Sequence, residues 1–227
     1  MKVQGKEAGR CHEIAPDLWG ETASKWPKSC SGSINAWLIV VGASPGSSPT
    51  ARNFKSDSEM RDYRPVIGLP HPRFGYHDRP HYWDRVRGIA ERFFSEFGLD
   101  RYAALSLLHH VNLLSESSRT QPSIEILQSG GPRTQIVFRE THPRCVVALT
   151  KNVFKVASTL IGQEATESGE LNFGRYGPRW ELRNMKNDDP ILLARTPNHP
   201  SRHGFQYLPE FASTLAKIAR KELRLVL

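Results

Sequence analysis

Four short apolar runs, each closed by polar or turn residues, restrict this chain more than any other feature. Ala36-Trp-Leu-Ile-Val-Val41 ends in Gly42-Ala-Ser-Pro-Gly46, and a second run extends from Ala103 through Val111-Asn-Leu-Leu114. Cys145-Val-Val-Ala-Leu149 is the third, and Pro190-Ile-Leu-Leu-Ala194 is the fourth, ending in Arg195-Thr-Pro-Asn-His-Pro-Ser201. Runs this short, apolar throughout and bounded by turn residues read as strands buried on both faces. Helical periodicity fills the intervals. Tyr82, Val86, Ile89, Ala90, Phe93, Phe94 and Phe97 recur at helical spacing before Gly98, and residues 122 to 142 read as helical with a break at Gly130-Gly131-Pro132. Val153, Phe154, Val156, Ala157 and Leu160 mark another helix, and Phe211, Leu215, Ile218 and Ala219 mark the last, from about Pro209 to Leu223. Residues 162 to 187, polar with Leu171, Phe173, Tyr176 and Trp180 around glycines, suggest a hairpin. Strands alternating with helices predict an α/β fold: three α/β/α layers with a central four-stranded, mostly parallel sheet.

A chain of 227 residues suits one sizeable domain, placed here at 34–227 and preceded by a polar arm over 1–33 with isolated Trp19 and Trp26. Residues 47–79 form a long aperiodic stretch, a length that in a compact domain points to function or mobility. Lys and Arg number 31 against 23 Asp and Glu, a net charge of +8 that favours a polyanionic partner, nucleic acid before membrane. No apolar run approaches the roughly 20 residues of a membrane span. The polar start, Met1 to Arg10, lacks the apolar stretch of a secretory signal. Three widely spaced cysteines, Cys11, Cys30 and Cys145, argue against a disulfide framework or a metal cluster. A reducing, cytoplasmic setting is expected.

In sheets of this kind the ligand site lies beyond the carboxyl ends of the strands. That rule gathers Gly42 to Gly46, Asn112 and Asn198 to Ser201 on one rim. The Gly42–Gly46 turn is neither a phosphate-binding GxxxxGK[ST] loop nor a GxGxxG fingerprint, so a strand-to-loop turn and a ligand-facing backbone both remain open. Asn112 interrupts an apolar strand, where a buried amide needs partners; strand-end turn and base-edge reader are both readings of it. His199 follows a buried-looking strand directly, which favours an imidazole facing the cleft over a surface one. His71, His77 and His81 have no carboxylate or cysteine spacing that completes a metal site, so no metal and no cofactor are expected. Phe74, Tyr76, Tyr82 and Trp83 lie among Arg73, Arg79 and Arg85, a mixture suited to stacking on bases and holding phosphates.

In order and context, Gly42-Ala-Ser-Pro-Gly46, Val111-Asn112-Leu113 and Asn198-His199-Pro200-Ser201 together resemble the motifs of the uracil-DNA glycosylase superfamily, over about residues 34 to 222. Phe74-Gly-Tyr-His resembles the segment whose aromatic stacks on the flipped base. The resemblance implies a uracil-DNA glycosylase-like fold and a monomer that extrudes a nucleotide from DNA and cleaves its N-glycosidic bond. Gly42, Ala43, Phe74 and Asn112 would hold the base. His199 and the first-motif N–H groups would stabilise the departing base anion. Pro45, Gly46, Ser47 and Ser201 would lie on the DNA backbone, with Arg202 or His203 wedging into the vacated stack. The chain departs from the family at Ala43 and Ser44, where many members carry Asp, Asn or Glu. Ser44 can orient water, and Asp57, Glu59, Asp62 and Asp78 are the loop carboxylates able to substitute, Asp78 being the one assigned here. The expected substrate is therefore a damaged or modified pyrimidine, with a hypermodified phage base and a defence role as an extension. A noncatalytic nucleic-acid-binding module, an ordinary uracil-excising repair enzyme and an enzyme of free nucleosides are the alternatives.

Overall fold

Each of the four apolar runs contributes a strand, and all four lie side by side and parallel. The computed structural model describes residues 30–33, 35–44, 80–114, 121–162, 164–173, 177–185, 190–197 and 205–224. Its strands are β1 (Cys30–Gly32), β2 (Leu38–Gly42), β3 (Leu108–Asn112), β4 (Cys145–Ala148), β5 (Ala165–Glu170), β6 (Arg179–Asn184) and β7 (Pro190–Arg195). They form one sheet in the order β1-β3-β2-β4-β7-β6-β5. β3, β2, β4 and β7 are mutually parallel, with Leu38 beside both Leu108 and Cys145, and Cys145 beside Leu192.

The expectation of a four-stranded, mostly parallel sheet is corrected in extent and in sense. Three further strands join, and all three make antiparallel pairs: β1 on β3, β6 on β7, and β5 on β6. Connection length explains the sense. A parallel neighbour needs a crossover of roughly a dozen residues or more, whereas only residues 185–189 separate β6 from β7. The expected hairpin over 162–187 is present as β5 and β6, and it extends the sheet. Residues 30–32, assigned to the arm, are likewise paired into the sheet. Chain N-terminal to residue 30 lies outside the described residues, as do 45–79.

The helices are α1 (Pro80–Ser95), α2 (Arg101–Ser106), α3 (Ile124–Gln128), α4 (Gly131–Thr141), α5 (Lys151–Ile161) and α6 (Leu208–Glu222). The second run was expected as strand from residue 103, yet α2 takes 101–106 and β3 starts only at Leu108. Asp100 caps α2, its carboxylate accepting from the Ala103 N–H at 2.8 Å. A cap in front of Ala-Ala-Leu, all good helix formers, settles an apolar run whose period alone is ambiguous.

Side-chain alternation along the strands feeds two cores. Leu38, Val40, Leu108, Val147 and Leu192 meet Val86, Ile89, Phe93 and Phe94 of α1 and Phe211 and Leu215 of α6. Ile39, Val41, Val111, Val146 and Leu193 meet Leu127 of α3, Val137 and Phe138 of α4, and Val153, Phe154 and Val156 of α5. The rings of Phe93 and Phe94 pack edge to face, with centroids 5.0 Å apart. Beyond the end of α1, Glu96 accepts from the Ser213 hydroxyl and its backbone carbonyl from Arg220, which lies over the Phe97 ring. The Ser213 bond, with nearby cations, holds the Glu96 carboxyl below the usual carboxylate range. At the other edge of the sheet from β1, β5 is polar and almost wholly exposed.

Helix ends are fixed locally. Ser123 and Thr150 cap α3 and α5 by accepting from the N–H groups of Ile126 and Val153. α4 ends at His142 with φ 47°, a left-handed conformation costly for a residue with a Cβ, and Pro143 bars continuation. Thr150→Ala is expected to lower stability by about 1 kcal/mol, and His142→Gly to raise it by about 1 kcal/mol. Urea unfolding midpoints check both signs.

Candidate functional site

The parallel register brings Gly42 directly beside Asn112 at the carboxyl ends of β2 and β3. Alternation from Leu38 and Leu108 sets Gly42, His110 and Asn112 on the face covered by α1 and α6. Pairing continues past the strand ends, where the Leu113 N–H donates to Gly42 O at 3.0 Å and the Leu114 N–H to Ala43 O at 2.9 Å. Two of the three motifs singled out in the sequence are therefore adjacent in space, in register and on the rim where the topology puts ligands.

Gly42 is required here by close approach. A Cβ at this position would collide with Asn112 Oδ1 and would lie 3.5 Å from His110 Nε2. The Asn112 side chain thus lies across the bare Gly42 backbone. Asn112 is only 7% exposed. Its backbone carbonyl accepts from Arg133, while no side-chain hydrogen bond is formed to its amide among the described residues.

Among the described residues, the segments that end the parallel strands carry cations and no acids. Arg133, Lys151 and Arg195 belong to the segments that leave or brace the carboxyl ends of β3, β4 and β7, and 42–44, 112–114, 149–151 and 195–197 contain no Asp or Glu. Thr196 ties the end of β7 to that of β4 through its N–H to Ala148 O at 3.0 Å and its hydroxyl to Leu149 O at 3.3 Å. Asn152 donates to Pro122 O at 3.2 Å, drawing the approach to α3 over the start of α5.

Of the residues proposed from sequence, the structure brings together Gly42, Ala43, Ser44 and Asn112, with Ala43 and Ser44 half-buried. Pro45, Gly46, Ser47, Phe74, Asp78, His199, Ser201, Arg202 and His203 lie outside the described residues, as do Asp57, Glu59, Asp62, His71 and His77. β7 ends at Arg195, level with Ala148, so the chain leaves toward His199 from the same edge that carries Gly42. Among the described residues no three His, Cys, Asp or Glu side chains stand together as a metal site. Cys145 opens β4 and is buried, and burial pushes its thiol far up, away from the thiolate form a nucleophile needs.

Two residues of this region escaped the sequence reading. His110 is 1% exposed and points at Gly42 from within β3; its signal was a pair of imidazoles inside an otherwise apolar strand. Arg133 reaches the end of β3 from α4, and only its place directly after Gly130-Gly131-Pro132 marked it. A scan of the chain against protein-family models gives no match, and a search of curated proteins gives none.

The contact between Gly42 and Asn112 makes a double-mutant prediction. Gly42→Ala is expected to destabilise by roughly 1–3 kcal/mol through overpacking against Asn112. In an Asn112→Gly background the same substitution should cost far less, leaving a coupling of roughly 1 kcal/mol or more. Denaturant titration of the four proteins measures it.

Proposed function

We propose that the protein is a DNA glycosylase that takes an extruded pyrimidine nucleotide at the carboxyl edge of its parallel strands and hydrolyses the N-glycosidic bond, leaving an abasic site. The observation that carries this reading is the buried Asn112 amide laid over Gly42 at that edge. An amide offers donors and an acceptor together, the complement of a pyrimidine edge. The cations at the described strand ends and the net charge of +8 suit phosphodiester contact. The fold itself contributes only the general α/β frame, helices on both faces of a mixed sheet, and the glycosylase reading rests on the order of the sequence motifs and on the strand-end residues.

The chemistry follows from what the bond requires. As the base leaves with the bonding electrons, negative charge grows on it and positive charge on the sugar, and water then adds to the anomeric carbon and gives up a proton. On the resemblance, His199 and the N–H groups of the 42–44 turn stabilise the base anion. Ser44 orients the water, and Asp78 takes its proton. Phe74 stacks on the base. Pro45, Gly46, Ser47 and Ser201 hold the backbone beside it, and Arg202 or His203 fills the gap in the duplex. With Ala43 and Ser44 in place of an acid, plain uracil is a poor substrate, and a larger or modified pyrimidine is the better one. The protein acts as a monomer and without metal or cofactor.

The lack of a carboxylate in 42–44 also favours a second reading, a module that binds flipped or abasic nucleotides without chemistry. Incubation with genomic DNAs of different base modification, followed by alkaline cleavage and mass spectrometry of released bases, separates the two. Release of a modified pyrimidine is expected, falling at least roughly 100-fold in Asn112→Ala. Tight, salt-sensitive binding with no abasic sites on any DNA would establish the module, and efficient release of uracil alone would return the protein to ordinary repair.

A further inference from the structure

We infer that Arg133 is the positioning residue of the site: it clamps the end of β3 and thereby sets the direction in which Asn112 presents its amide. The functional half of this inference rests on the glycosylase reading, and the structural half stands without it. Arg133 sits in the first turn of α4, and its Nη2 donates both to Asn112 O at 3.0 Å and to Leu113 O at 2.5 Å. One carbonyl belongs to the last residue of the strand and the other to the residue after it, where the strand ends. Holding both fixes the peptide planes on either side of Leu113, and with them the backbone from which the Asn112 side chain departs.

α4 is built to deliver this arginine. Its N-cap is Gly130, where a Cβ would overlap Leu113 O and would stand 3.2 Å from the Leu113 Cα. Only a residue without a side chain lets the helix start directly on the end of β3. The Leu113 carbonyl is thus pressed by Gly130 and bonded by Arg133, two contacts from one helix end.

The cost of the arrangement argues for its purpose. Arg133 Nε is buried with no hydrogen-bond partner, and no carboxylate among the described residues is paired with the guanidinium. For stability alone, an apolar side chain of similar length would fill this place without a desolvated, unpaired N–H. What the arginine adds is two charge-assisted bonds to the peptides that aim Asn112. A base-reading amide discriminates only as well as its direction is held, and displacement of such a group by about 1 Å costs up to about 100-fold.

The test compares Arg133→Met, Arg133→Lys, Asn112→Ala and the Arg133→Met/Asn112→Ala pair with the parent. Hydrogen exchange at the Leu113 and Leu114 amides, which donate to Gly42 and Ala43, reads the clamp directly. Arg133→Met should speed exchange at these two sites at least roughly tenfold while the interior amides of β2 and β4 and the melting temperature change little. Arg133→Lys, which keeps a charged donor, should recover part of the protection; should the Met variant fail to fold, the Lys variant alone must still show the selective loss. The ratio of single-turnover base-release rates on oligonucleotides with a keto and an amino pyrimidine should fall roughly tenfold in Arg133→Met. In the Asn112→Ala background the arginine substitution should leave that ratio unmoved. Unchanged exchange at Leu113 and Leu114, or loss of protection spread evenly through the sheet, would overturn the clamp. An unchanged ratio with selective loss of protection would overturn the specificity role. If the parent releases no base from any DNA, the specificity role falls with the glycosylase reading, while the exchange data still decide the clamp.

Discussion

The parallel pairing of β2 with β3 on one side and β4 on the other is the constraint on which the molecule depends. All residues of these three strands are buried, so their peptides have no water to turn to and must be satisfied within the ladder. Burial on both faces also fixes register, because a slip of one residue would exchange the side chains serving the two cores. Leu38 and Val40 would then face α4 and α5, and Ile39 and Val41 would face α1 and α6. Register in turn sets the site, since Gly42 stands beside Asn112 only in the pairing that seats both cores.

Much of this was legible in the residues. Leu38-Ile-Val-Val, Cys145-Val-Val-Ala and Ile191-Leu-Leu-Ala are too short for helices and too apolar for anything but two-faced burial. The apolar spacing in Val86, Ile89, Phe93 and Phe94 likewise located α1. The stretch from Ala103 was harder, because its apolar residues fit either period; Asp100, three residues ahead of Ala103, held the answer as a cap. The hairpin over 162–187 was visible, but its attachment to β7 depends on a tertiary edge that local pattern does not encode.

The rim was legible in the same uneven way. Strand ends and turn residues marked Gly42 and Asn112, and parallel topology made them neighbours. Nothing local showed that Gly42 is bare because Asn112 lies over it, or that Arg133 and Gly130 arrive from about twenty positions away to hold the strand end. Such contacts are decided by which helix starts where, and the break at Gly130-Gly131-Pro132 was their only trace. Polar residues inside apolar runs, His110 and Asn112 here, were the more reliable signposts. Burying them is expensive enough that the surrounding fold must be arranged around them.

β5 has a consequence for how copies of this protein meet. A last strand leaves a row of peptide groups open to pairing, which invites sheets of separate molecules to fuse. Ala165-Thr-Glu-Ser-Gly-Glu170 offers no apolar stripe to a second copy, and its register with β6 is interrupted between Ala165 and Glu167. Glu167 and Glu170 would face the same carboxylates of an identical strand, in a protein otherwise rich in positive charge. An edge so polar, exposed and irregular is a poor template on which a second copy could extend the sheet.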